Sequence, residues 1–178
     1  MNRYTLKPFQ APPSPFTVQV DSLVLDNELT INFTLVGNIA SLNLPAPKET
    51  THRVEGLFHH TCLEIFLKRE SRYIEYNFAF SGDWCIFLFD GYRKSISPDI
   101  TLDSSFFSVK HISNSNSEAN FNVRIYLSKL GILGTGETRL GISSIIEHPQ
   151  CQLSYWALTH VGEKPDFHNE QSFIPLRY

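Results

Sequence analysis

Hydrophobic and polar residues alternate along most of this chain with a period of two. Such alternation predicts strands, because successive side chains on a strand point to opposite faces. Phe16 to Leu25 and Glu28 to Val36 alternate on either side of Asp26-Asn27, a pairing that predicts a hairpin. Cys62 to Leu67, Tyr73 to Phe80 and Trp84 to Phe89 follow, split by polar or glycine-containing turns. Phe106 to Ile112, Phe121 to Leu127, Thr138 to Ile146 and Gln152 to Thr159 complete the set. Ser113 to Glu118 reads as a turn, and Asn43 to Thr51, with Pro45 and Pro47, reads as a loop. Only Ser128 to Leu133 suggests a helical turn. No long segment of period 3.6 is present, which argues against an α/β fold. The expected fold class is all-β: an antiparallel, jelly-roll-like β-sandwich with few or short helices, forming one domain over residues 1–178.

The same alternation sorts the polar residues. Leu63, Ile65 and Leu67 form an apolar row, with Cys62, Glu64 and Phe66 opposite. Ile74, Tyr76, Phe78 and Phe80 form another, with Tyr73, Glu75, Asn77 and Ala79 opposite. Phe121, Val123, Ile125 and Leu127 point to a core, and Asn122, Arg124 and Tyr126 point away. In the last long strand Gln152, Ser154, Trp156, Leu158 and His160 share one row. A solvated sheet face favours Lys, Glu and Thr. The second face here mixes rings, carboxylates, amides and arginine. Rings that stack and planar groups that pair hydrogen bonds suit a sugar or similar polar molecule. An ordinary half-buried face explains the mixture equally well.

Composition narrows the field. A chain of 178 residues buries a sizeable core without disulfides or a structural metal. Its 14 Phe and 7 Tyr suit strands, where rings pack on a pleated surface. A net charge of −3 provides no basic field for nucleic acid or an anionic membrane. No stretch approaches the roughly 20 apolar residues of a membrane-spanning helix. The stretch MNRYTLKPFQAPPSPF lacks the apolar run of a signal peptide, and three scattered cysteines suit a reducing compartment, so the expected address is cytoplasmic. Oligomeric state has no signal in the sequence.

Several segments resemble the signatures of bacterial DOMON-like domains: RVEGLFHHTCLEIFL (Arg53 to Leu67), YIEYNFAFSGDW (Tyr73 to Trp84), GYR (Gly91 to Arg93) and SYWALTH…KPDFHNEQSF (Ser154 to Phe173). The resemblance implies a β-sandwich similar to carbohydrate-binding module family 9 and to DOMON domains that bind sugars or haem. In sugar-binding relatives, the positions matching Glu64, Glu75 and Asn77 line the ligand face. Arg93 is the nearest match to the relatives' arginine, and Trp84 or Trp156 to their aromatic platforms. Haem-binding relatives use a Met and a His, whereas the only Met here is Met1. A bis-His haem site from His59, His60, His160 or His168 is therefore a weaker alternative.

The expected function is a non-catalytic binding module for a carbohydrate or related polar small molecule, with no obligatory cofactor. Glu64, Glu75 and Asn77 make hydrogen bonds, Arg93 or Arg124 clamps, Trp84, Trp156 or Tyr126 stacks, and His160 completes the set. The alternatives are a protein-interaction module using the same face or a sheet edge, a haem or redox module, and, last, a glycoside hydrolase using Glu64 and Glu75. Hydrolysis requires carboxyl groups roughly 5 to 9.5 Å apart across a scissile bond. Carboxyls paired to bases, with no upward pKa shift, argue against it. Asp166-x-His168 forms only a partial metal site. Lys164 to His168 more simply forms a rigid turn in which Pro165 fixes the chain and Asp166 caps backbone donors. Gly131 to Gly136 lacks the ending of a phosphate loop and reads as a turn.

Overall fold

The computed structural model describes residues 1–97 and 101–177. Thirteen strands run in chain order: β1 (Asn2–Thr5), β2 (Lys7–Pro8), β3 (Phe16–Leu25), β4 (Glu28–Gly37), β5 (Cys62–Arg69), β6 (Arg72–Phe78), β7 (Trp84–Asp90), β8 (Ser95–Ile96), β9 (Phe107–Asn114), β10 (Glu118–Tyr126), β11 (Arg139–Glu147), β12 (Leu153–Ala157) and β13 (Ile174–Pro175). The nine strands expected from alternation are all present, with ends shifted by a few residues. The four short strands β1, β2, β8 and β13 were not legible, since two to four residues carry too little period. The helical segments among the described residues are short 3-10 turns, the longest over Leu127–Leu133. None is long and apolar enough to cross a membrane.

The strands form two antiparallel sheets. One has the order β1-β3-β4-β10-β9; the other has β2-β12-β11-β5-β6-β7-β8, with β13 added on β11. Asp26 and Asn27 both take positive φ, 50° and 63°, as a tight hairpin between β3 and β4 requires. The inner rows of the sheets meet in one core. Val20, Ile31, Phe33, Phe121 and Val123 from the first sheet pack towards Ile65, Ile74, Tyr76, Phe78 and Ile142 from the second. Burial of such side chains, roughly 1.5–3 kcal/mol each, drives the two sheets together.

The second sheet departs from a simple sandwich. Strands β5 and β6 are buried on both faces, since every residue from Cys62 to Lys68 and from Tyr73 to Phe78 is buried. The outer face is covered by the segment after β12. Phe173 joins Phe66, Tyr73 and Phe89 in a second apolar cluster on that face. Arg139 donates to the Phe173 carbonyl at 2.5 Å, and Lys68 pairs with Glu170 at 3.0 Å. Gly141 makes the seat. A Cβ there would lie 2.5 Å from the Phe173 ring. Gly141 faces outward next to Phe66 in the β5–β11 register, so the strap lies directly on bare backbone.

Gly141→Ala is expected to destabilise the fold by about 1–3 kcal/mol through overpacking. Urea unfolding checks this. A change below 0.5 kcal/mol would mean the strap is not seated on this glycine.

Candidate functional site

The outer face of the second sheet is filled at one end and open at the other. The open part is a cavity of about 370 Å³. Cross-strand register explains its floor. Glu64 on β5 lies opposite Asn77 on β6 and Ser143 on β11, while Glu75 lies opposite Phe66 on β5 and Phe87 on β7. Glu64 and Glu75 are thus diagonal neighbours on adjacent strands, a relation that separates Cα atoms by roughly 7–8 Å. Phe87, Phe89 and Ile145 extend the floor, and Tyr155 on β12 forms one side. Phe167, Pro165 and His168 come from the strap, Arg93 from the turn after β7, and half-exposed Phe58 stands at the mouth.

Both carboxyl groups are almost out of water, at 3% exposure for Glu64 and 6% for Glu75. Each has one oxygen engaged. Ser143 donates to Glu64 Oε2 at 2.9 Å, and the Asn77 amide donates to Glu75 Oε1 at 2.7 Å. Asn77 is held in turn by the Cys62 thiol, 3.4 Å from its Oδ1. Among the described residues neither Glu64 Oε1 nor Glu75 Oε2 accepts a hydrogen bond. Burial pushes both acids well above the usual carboxyl range, and for Glu64 the neighbouring Glu75 charge adds to it. Removal from water outweighs the Ser143 and Asn77 hydrogen bonds and the pull of Arg93.

The cationic groups on this cavity do not neutralise that pair. The Arg93 guanidinium bonds Asp166 at 2.9 Å and the Tyr92 hydroxyl at 3.2 Å. Arg93 sits at φ 54°, in the left-handed region that non-glycine residues seldom adopt. Its N–H donates to the Tyr73 hydroxyl at 3.0 Å, which fixes the turn. That hydroxyl lies 2.8 Å from His168 Nδ1. His168 Nε2 stands 3.8 Å from Glu75 Oε2, beyond hydrogen-bond reach. Burial among Tyr73, Phe66 and Phe89 pushes the His168 pKa down to about 4, so the ring is neutral at pH 7.

Of the residues expected to read a ligand, Glu64, Glu75 and Arg93 line this cavity, and Asn77 lies beneath it, holding Glu75. The others are elsewhere. Trp84 is not a platform: it faces the inter-sheet core, edge-on to Phe107 with centroids 5.2 Å apart. Trp156 is in the core as well, 4.6 Å from the Phe16 ring, its indole N–H donated to Ser154 at 2.9 Å. Both belong to the inner row of their strand, so neither ring reaches the outer face. Arg124 and Tyr126 do point away from the core, but from the first sheet, on the far side of the sandwich. Arg124 pairs there with Glu28 at 3.0 Å. His160 lies at the β2 edge, bonded to the Lys7 carbonyl at 2.8 Å. His60 pairs with Glu147 at 2.8 Å. The aromatic positions of the cavity are instead Tyr155, Phe87, Phe89 and Phe167. Phe87 and Tyr155 belong to the rows opposite the two tryptophans; in β7 both rows are apolar, and in β12 the Trp156 row carries Gln152, Ser154 and His160, so alternation did not single out the ring that faces the core. Asp166 accepts the His168 backbone N–H, as a capping residue does, and also holds Arg93.

The fold and the site define an antiparallel β-sandwich with a small acidic, ring-lined pocket on the outer face of its larger sheet. No protein-family model matches the chain, and no curated protein does. A similar solved structure is the crystal structure of a "putative carbohydrate-binding protein" from Bacteroides uniformis. It is 14% identical in sequence, with a TM-score of 0.64 over 97% of this chain and 84% of that one. At that identity the likeness establishes the fold, an all-β sandwich.

Glu64→Gln tests the burial of the acid pair. A carboxyl raised by folding contributes stability that is full below its unfolded pKa and lost as pH rises through its folded pKa. Wild-type stability should therefore fall from pH 4.5 through neutrality. Glu64→Gln is expected to match wild type near pH 4.5 and exceed it at pH 8, on the order of 2 kcal/mol. His168 acts in the opposite sense, costing stability only as pH falls from 6.5 towards 4. Equal pH profiles for variant and wild type would show that Glu64 ionises freely.

Proposed function

We propose that this chain is a non-catalytic binding module for a carbohydrate or closely related polar small molecule, bound on the outer face of the larger sheet. The observation that carries the reading is the cavity: two nearly buried carboxyl groups, each with an oxygen free of hydrogen bonds, on a floor walled by aromatic rings. Its volume of about 370 Å³ lies at the lower end for small-ligand sites, roughly 300–1,000 Å³. Glu64 Oε1 and Glu75 Oε2 accept from ligand hydroxyls. Tyr155 and Phe87 offer ring surface for the apolar face of a sugar. Arg93, fixed by Asp166, donates from the rim. Asn77 and Ser143 hold the two acids in place. The similarity of fold to the Bacteroides uniformis protein and the DOMON-like segments support the same reading. A concave pocket also suits a small ligand better than a docked protein, which uses flatter surface or a sheet edge.

Hydrolysis gains one supporting observation, since raised carboxyl groups are what a general acid needs. The arrangement argues against it. A hydrolase places its two carboxyls on either side of the scissile bond. Glu64 and Glu75 rise from adjacent strands on one face of one sheet.

Calorimetry against a panel of mono- and disaccharides, neutral and aminated, tests the reading. At least one sugar is expected to bind, and Tyr155→Ala to weaken that binding tenfold or more without loss of the folded spectrum. Binding of no sugar at millimolar concentration would count against the reading. Turnover of aryl glycosides would move the protein into the hydrolase class.

A further inference from the structure

We propose that the pocket selects a ligand bearing a positive charge beside its hydroxyls, an amino sugar whose ammonium group is held between Glu64 and Glu75. The inference rests on the carbohydrate reading and specifies the ligand class. It follows from the charges that face the cavity. Two acids lie on the floor, almost fully buried. Among the described residues, the one permanent cation on the wall, Arg93, already bonds Asp166 at 2.9 Å. His168 is neutral, and its Nε2 stands 3.8 Å from Glu75. Burial pushes the Tyr73 phenol up to about 12, so it stays uncharged. The cavity floor therefore carries two acids that share a proton near neutral pH, and the pull of Arg93, already bonded to Asp166, does not offset their burial.

A neutral polyol leaves that pair as it is. Two like charges on diagonal positions of a dry floor repel, and the pair relieves this by keeping a proton. An ammonium group relieves it directly. It presents three donors, while Glu64 Oε1 and Glu75 Oε2 are two acceptors without partners. The walls suit the same charge. Phe87, Tyr155 and Phe167 line the cavity, and aromatic rings attract a cation placed within about 6 Å of a ring face. Anionic sugars meet the opposite conditions, two carboxyls and an arginine already paired.

Proton linkage follows from this. Where the empty pocket holds a proton between the acids, a bound ammonium takes its place and the proton leaves. Near pH 7, binding should release a fraction of a proton, visible as a dependence of calorimetric heat on the buffer's ionisation enthalpy.

The test is calorimetry on the full chain at pH 7 with glucosamine and galactosamine, with glucose, galactose and the N-acetylated hexosamines as neutral partners, and with tetramethylammonium. Expected are an amino sugar at least tenfold tighter than its neutral and acetylated counterparts, net proton release, and loss of most of that preference in Glu64→Gln. Equal binding of neutral and amino sugars would overturn the charge selection while leaving the carbohydrate reading intact. Tetramethylammonium binding with no sugar response would overturn both, as would the absence of any response.

Discussion

Phe173 packs against bare backbone at Gly141, and that contact holds residues 162–173 over the larger sheet. The outer rows of β5 and β6 depend on it. A two-sheet sandwich leaves the outer face of each sheet in water, where Glu64, Phe66, Tyr73 and Glu75 would be ordinary surface residues. Covered by the strap, the same residues divide. At one end Phe66, Tyr73, Phe89 and Phe173 close into a small second core. At the other the strap stands off the sheet and leaves a cavity, with Phe167 and His168 as its wall. The strap, seated on Gly141 and tied down by His168 to Tyr73 and by Asp166 to Arg93, thus keeps the acid pair dry.

Dryness sets the chemistry. In water two carboxyls at diagonal strand positions would ionise independently. Here burial raises both, and the proton they retain and the two oxygens they leave unbonded are two expressions of one condition. The hydrogen bonds from Ser143 and Asn77 fix the direction of each group without neutralising it. Arg93 is held off by Asp166, and His168 by Tyr73. The neighbours of the pair are engaged with one another, which keeps the pair available to a ligand.

Much of this was legible in the sequence where one strand row was clearly apolar and the other polar. Leu63, Ile65 and Leu67 against Glu64, and Ile74, Tyr76 and Phe78 against Glu75 and Asn77, gave the floor of the pocket by parity alone. Parity failed where both rows were apolar. In β7, Trp84, Ile86 and Leu88 alternate with Cys85, Phe87 and Phe89, and nothing local says which set faces the core. The two tryptophans drew attention as platforms and proved to be core, while the smaller Phe87 and Tyr155 faced outward. Parity is also blind to which sheet a strand joins. Arg124 and Tyr126 do point away from the core, but on the opposite side of the sandwich, because β10 pairs with β4 and β9. The strap was the largest omission. Its first residues, Lys164 to His168, read as a rigid turn, yet Phe167, His168 and Phe173 put three aromatic or imidazole rings within seven residues, more than a solvated turn requires.

The most direct test of the central claim is carboxyl 13C NMR of the glutamate-labelled protein, titrated with pH in the absence and presence of a saturating saccharide. The Glu64 and Glu75 resonances, assigned through their Gln variants, should titrate far above the other glutamates when the pocket is empty. Both should move on saturation, with the ligand's ring protons shifted upfield by Tyr155 and Phe87. Two carboxyls titrating with the surface glutamates, or a bound saccharide that leaves both resonances unmoved, would contradict the account.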